Sequence, residues 1–272
     1  MRLRPHSGRV ALIAALVALS VCPTAASMER SANEKPAIAS ESPLDSVALH
    51  RGYEAMAPAR IDRLRMAADA GQDDAALHAL IAMAEAGNAD AQRAAGDTLL
   101  RRQTATAVAS GLRWLERAAA QGDAHAALSL GRAWLTGSSI TPRDPARARA
   151  WFLRSHASAS TRAQAAYYLG LLSRASDPAQ AVAYWQESAA QGIADAMYLL
   201  GNACAAGEGT DQDAREAMRW FLRAAALDHP AAIQELAFAF QRGDTLLPQS
   251  DLQAANMRLA LEHALRHPKA AP

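Results

Sequence analysis

A glycine that returns at one place in a recurring helical pattern constrains this chain more than any other feature. Gly96, Gly131, Gly170 and Gly201 each follow an alanine by five residues, namely Ala91, Ala126, Ala165 and Ala196, and Ala232 with Ala237 repeats the relation. Three residues beyond that position stand Leu99, Trp134, Ser173, Cys204 and Phe240. Offsets of 0, 4, 5 and 8 trace one face of a helix. A second pattern alternates with the first. The pairs Trp114-Leu115, Trp151-Phe152, Tyr184-Trp185 and Trp220-Phe221 are spaced 37, 33 and 36 residues apart, each with Gly111, Ala148, Ala181 or Ala217 three residues upstream. A lone pair of helices cannot bury both of its faces, so such units must stack on their neighbours. The expected fold is all-α, an α-solenoid of tandem antiparallel helix pairs in a right-handed superhelix.

Composition agrees. Alanine accounts for 70 of the 272 residues, whereas Val, Ile and Thr together number 22. Alanine favours helices and fills a pleated sheet face poorly, so a sheet protein is excluded. Small side chains bury little each and call for close approach between helices. A glycine inside a helix costs about 1 kcal/mol relative to alanine. Its return in successive units therefore needs a packing reason. The simplest is that the missing side chain lets the second helix of each unit, with its Trp or Tyr, lie directly against the first. Starts and stops are also marked. Asp144-Pro145 and Asp177-Pro178 place a capping acid before a first-turn proline, and Gly122 and Gly192 suit left-handed helix ends. Asp213 with Glu216, Asp177 with Gln180 and Ser250 with Gln253 fit the capping box.

The N-terminus reads as a cleaved secretory signal over residues 1–26. Arg2, Arg4 and Arg9 precede the apolar run Val10 to Val21, and small residues Thr24 and Ala26 follow, with cleavage at Ala26 or Ser27. Val21 stands where a lipoprotein signal has a small residue, which argues against lipidation at Cys22. Residues 27–46 form a polar linker, 47–86 N-terminal helices or a degenerate repeat, 87–247 the repeats, 248–267 a capping helix and 268–272 a tail. The mature chain is expected in the periplasm or outside the cell, with no transmembrane segment. Without residues 1–26 the formal charge moves from 28 − 27 = +1 to 25 − 27 = −2. That balance argues against nucleic acid as a partner. Cys204 then stands alone and reads as a buried, inert thiol.

The repeat resembles the Sel-1-like repeat family of tetratricopeptide-type solenoids. Ala196, Leu200-Gly201, Cys204, Gly207-Glu208-Gly209, Asp213, Ala217, Trp220-Phe221 and Ala224-Ala225 follow the family pattern most closely. The copy from Ala126 has Ser139 in place of the second loop glycine and one extra residue before Asp144. The copy from Ala165 lacks the Gly-x-Gly loop. The resemblance implies an adaptor or scaffold rather than a catalyst. Bacterial members with signal peptides resemble exopolysaccharide assembly factors or regulators of membrane sensor kinases. The disulfide-stapled members differ from this chain, which lacks their cysteines.

A search for chemistry returns little, and no cofactor or metal is expected. Gly207-Glu208-Gly209 lacks the third glycine of a dinucleotide site and is better read as a repeat loop. Asp211 and Asp213 lack the remaining ligands of a calcium loop, and Asp213 reads as a helix cap. His263 and His267 share a helix face without a third ligand beyond Glu262. His125 and His229 fall in turns and read as solvated, and Ser173 has no base partner at readable spacing. What remains is a surface. At offsets 2 and 6 the first helices carry Arg93 and Asp97, Leu128 and Arg132, Tyr167 and Leu171, Tyr198 and Asn202, then Gln234 and Phe238. Arg132, Tyr167, Tyr198 and Asn202 form a candidate recognition strip for a protein partner, such as an envelope or secretion component. The tyrosines equally suit a seal between adjacent repeats. Two other readings stay open: a factor associated with exopolysaccharide or peptidoglycan, and an enzyme whose site is assembled across repeats.

Overall fold

The computed structural model describes residues 58–70, 73–243 and 249–267. The signal segment, the linker and the tail lie outside the described residues. Among the described residues every regular element is helical: α1 (58–70), α2 (Asp74–Glu85), α3 (Ala89–Arg101), α4 (Ala105–Ala120), α5 (Ala124–Thr136), α6 (Pro145–His156), α7 (Arg162–Ser173), α8 (Pro178–Ala190), α9 (Ala194–Ala206), α10 (Ala214–Ala225), α11 (Pro230–Arg242) and α12 (Asp251–Arg266). Consecutive helices pack in pairs, α3 with α4 through α11 with α12, and each second helix also touches the next first helix. This is the α-solenoid that the glycine period predicts. None of these helices is long and apolar enough to cross a membrane.

Local chemistry sets the helix boundaries. The carboxylates of Asp144, Asp177 and Asp213 accept backbone N–H groups of the first turns of α6, α8 and α10. In α10 the Glu216 N–H holds the Asp213 carboxyl below its usual range. Asp144→Ala is expected to cost about 1 kcal/mol, read as a lower urea midpoint at unchanged slope. The reciprocal half of the capping box does not form. The backbone N–H groups of Asp177, Asp213 and Ser250 already donate to the carbonyls of Ser173, Cys204 and Phe240 at 2.7, 2.9 and 3.0 Å. Each cap is thereby tied to the end of the preceding helix, and Glu216 pairs with Arg219 instead.

Gly122 and Gly192 close α4 and α8 with φ of +95° and +88°. Asp123 N–H reaches the Ala118 carbonyl and Ile193 N–H that of Ser188, as a left-handed helix end requires. After α10 the same place is taken by Asp228 with φ +61°, a conformation aspartate tolerates better than most side chains.

The repeated glycine has the expected purpose, with one correction. A Cβ on Gly131 would lie 2.5 Å from the Phe152 ring, and one on Gly96 2.7 Å from Leu115. On Gly170 and Gly201 it would collide with Trp185 and Phe221. The residue seated on each glycine is therefore the second of its pair, not the leading Trp or Tyr. Phe152 and Leu115 are fully buried, whereas Trp114, Trp151, Tyr184 and Trp220 are half-buried. One residue along a helix turns about 100°, and that step moves the leading ring onto the neighbouring unit. Trp114, Trp151, Tyr184 and Trp220 accordingly pack against cores that extend across unit boundaries. The Arg154 guanidinium beside Trp151 reaches across to donate to the Ala119 carbonyl at the end of α4.

Candidate interaction surface

The four strip residues occupy different settings. Arg132 on α5 is exposed, and its guanidinium stands 6.0 Å from the Tyr168 ring centre. Tyr167 on α7 is half-buried and meets Tyr168 edge-on at 4.9 Å. Burial pushes the Tyr167 hydroxyl up to about 12, with the Asp195 carboxylate adding to the effect. Tyr198 on α9 is half-buried, stacked on His229 at 4.7 Å and tilted against Phe221 at 5.8 Å. Asn202 is half-buried one turn further along α9. Arg132 and Tyr167 thus meet through Tyr168, and Tyr198 joins its own group with His229. Asp195 links the two, facing Tyr167 and standing 3.5 Å from His229 Nε2. Each tyrosine has one side in a seam between units and part of its surface open.

Two residues of this row escape sequence reasoning. Tyr168 sits at the inward-facing register and stacks on Phe152 at 4.7 Å. It extends the Gly131–Phe152 contact to the surface. His229 is not solvated: its side chain is 12 % exposed. Its Nδ1 accepts the Ala232 N–H as the cap of α11, and Tyr198 covers the ring. The proline that follows it is the same start signal that marks the Asp-Pro caps. His125 is 54 % exposed, as expected.

A cleft of about 660 Å³ opens at one end of the row, between α3, α4, α5 and the loop after α5. Asp97, Ser129 and Arg132 contribute polar groups and Val108, Leu112 and Ile140 apolar ones. Burial pushes the Asp97 carboxyl up, while the Ser129 hydroxyl, Arg93 and Arg101 oppose that shift. Both arginines are engaged elsewhere. Arg93 pairs with Asp90 and Asp123, each at 3.0 Å, and Arg101 with Asp69 at 2.6 Å. Among the described residues no cation lies within ion-pair distance of Asp97.

The remaining candidates fall to structural roles. Cys204 is buried, and its thiol is pushed up by burial, with Glu216 and Asp213 adding. Ser173 is buried between Arg149 and Gln180. Glu208 pairs with Arg174 at 2.6 Å, and Gly209 lies so close to the Pro178 carbonyl that no Cβ fits. The Gly-x-Gly loop is therefore a clamp between units. His263 and His267 are exposed, 5.0 Å apart between ring centres, and no cluster of three metal-ligating side chains occurs among the described residues.

The Sel1 repeat model matches residues 108–123, 124–155, 163–193 and 194–229. The last three matches coincide with the pairs α5–α6, α7–α8 and α9–α10. A Sel1 repeat protein from Oxalobacter formigenes is similar in structure, with TM-score 0.63 and 25 % identity over 76 % of this chain and 88 % of that one. A protective antigen of uropathogenic Escherichia coli strains, displaying an SLR fold, gives 0.60 and 25 % over 69 % of this chain. This chain spans about two fifths of that antigen, 41 % of its length. No curated protein matches.

Proposed function

We propose that this array of Sel1-type repeats is a non-catalytic adaptor that acts outside the cytoplasm and holds a protein partner on the row formed by its first helices. The observation that carries the reading is the row itself. Arg132, Tyr168, Tyr167, Tyr198 and Asn202 run across three successive units, with rings anchored in the core and edges partly open. Arginine and tyrosine are the residue types in which binding energy concentrates. The extracytoplasmic site rests on the Arg-rich, then apolar, then small-residue order of residues 1–26.

The tryptophans weigh against a glycan partner. Sugar stacking needs an open ring face. Arginines stand over Trp114 at 4.7 Å, Trp134 at 4.6 Å, Trp151 at 5.6 Å and Trp220 at 4.4 Å, and Trp185 is buried. All five tryptophans of the chain are thus occupied.

The test is affinity capture from envelope extract by residues 27–272, with Arg132→Glu and the double variant Tyr167→Ala, Tyr198→Ala as comparisons. Arg132 is exposed, so its variant is expected to keep the wild-type circular dichroism and to lose the captured protein. Equal capture by wild type and both variants, all equally folded, overturns the assignment of the row.

A further inference from the structure

The cleft beside Arg132 owes its existence to a departure from the repeat. In the α9–α10 unit the loop clamps down: Gly209 touches the Pro178 carbonyl at the start of α8, the second helix of the preceding unit. The matching position in the α5–α6 unit is Ser139, and the loop there is one residue longer. A serine carries the Cβ that the close approach forbids. The α5–α6 loop turns on itself instead. The Ser138 hydroxyl accepts the N–H groups of Ile140 and Thr141 at 3.1 and 2.9 Å, and Ser138 N–H donates to the Thr141 carbonyl at 2.7 Å. This self-supporting loop and the α4 residues Val108 and Leu112 line the 660 Å³ cleft together.

The volume lies in the range of ligand pockets, and the walls mix apolar and polar groups as such pockets do. The charges are unusual. Asp97 is a desolvated carboxyl that holds a hydrogen bond with the Ser129 hydroxyl but no ion pair among the described residues, because its two neighbouring arginines are committed to Asp123, Asp90 and Asp69. A desolvated charge left unpaired costs stability unless something else fills the role. Arg132, which also lines the cleft, presents a guanidinium that makes no ion pair among the described residues. The cleft therefore offers one acidic and one basic docking point beside the apolar side chains of Val108 and Leu112, with no aromatic ring among its described lining residues to stack a sugar.

We infer that this cleft is the specificity pocket of the adaptor, taking a short segment of the partner's chain that places a basic side chain on Asp97 and an acidic one on Arg132. The inference rests on the adaptor reading and sharpens it. A partner without adjacent opposite charges would cover Asp97 with only the Ser129 hydroxyl to answer it and no cation, so the pocket selects as well as binds.

The probes are blocked pentapeptides carrying one Arg and one Glu at different spacings, with Gln-for-charge counterparts, titrated calorimetrically into residues 27–272. At least one charged spacing is expected to bind about tenfold or more tightly than its neutral counterpart, and Asp97→Asn is expected to abolish that difference. Asp97→Asn keeps the side-chain shape, so circular dichroism should be unchanged. Should it nevertheless unfold, Ile140→Trp provides a second test. Ile140 is exposed on the loop, and a tryptophan there fills the cleft and should block the peptide. Equal binding of charged and neutral peptides, an unchanged difference in Asp97→Asn, binding that survives Ile140→Trp, or no peptide binding at millimolar concentration overturns the inference. Preferential binding of an oligosaccharide panel blocked by Ile140→Trp does the same. If the peptides fail while Arg132→Glu still abolishes partner capture, the adaptor reading stands and the pocket alone falls.

Discussion

Gly131→Leu is expected to lower the thermal midpoint of the array by roughly 6 to 12 °C, for a loss of about 3 kcal/mol or more. The clash is specific. Three atoms of the Phe152 ring lie 2.5 to 2.9 Å from where the new Cβ must sit, and that ring is fully buried and stacked on Tyr168 at 4.7 Å. It cannot swing aside without pushing Tyr168 out of its seam. The helix backbone at Gly131 is ordinary, so strain in φ plays no part, and the gain in helix propensity of about 1 kcal/mol on replacing glycine opposes the loss, which therefore comes from packing. A second substitution separates this explanation from a general intolerance. Phe152→Ala by itself removes a buried ring and should cost about 3–5 kcal/mol. Combined with Gly131→Leu it vacates the space the leucine needs, and the double variant should lose clearly less than the sum of the two. Additive losses, or a wild-type midpoint in Gly131→Leu, would sink the packing account.

The same glycine explains why the architecture is legible in the sequence. Gly96, Gly131, Gly170 and Gly201 fill one structural role, close approach of a second helix, and Ala237 holds the place in the last unit, so the period is written in the two smallest residue types. The caps are legible for a similar reason: Asp before Pro solves an orphaned N–H and a helix start at once. The register of the aromatic pair is not. Trp151 and Phe152 are both large and apolar, and nothing local says which of them faces the glycine and which turns towards the neighbouring unit. His229 is misread because its burial depends on Tyr198, on the first helix of the preceding unit. The cleft is hidden for a third reason. Its loop shows in the sequence only as a missing glycine and an extra residue, whereas the isolation of Asp97 follows from Arg93 and Arg101 being drawn to carboxylates on other elements.

Trp185→Ala is expected to cost about 3–5 kcal/mol, whereas Trp185→Phe should stay within about 1.5 kcal/mol, both read from denaturant unfolding. Trp185 is 2 % exposed and fills the space above Gly170 at the centre of the array. Truncation to alanine leaves a void walled by Ala181, Ala189 and Leu200, and helices held at both ends by neighbouring units cannot collapse into it. Phenylalanine behaves differently for two reasons. The adjoining units already seat Phe152 on Gly131 and Phe221 on Gly201, so a phenyl ring suits this glycine geometry. The indole also carries a liability, since Trp185 Nε1 is buried with no hydrogen-bond partner among the described residues. Losing that N–H offsets part of the lost contact area, because a buried unpaired donor costs about 1–3 kcal/mol. Gly170→Ala, destabilising against the indole, should then become tolerable when combined with Trp185→Phe, because the smaller ring leaves room for one methyl. A phenylalanine variant as unstable as the alanine one would show instead that the indole N–H has a partner and that this unit is held by a polar contact its neighbours lack.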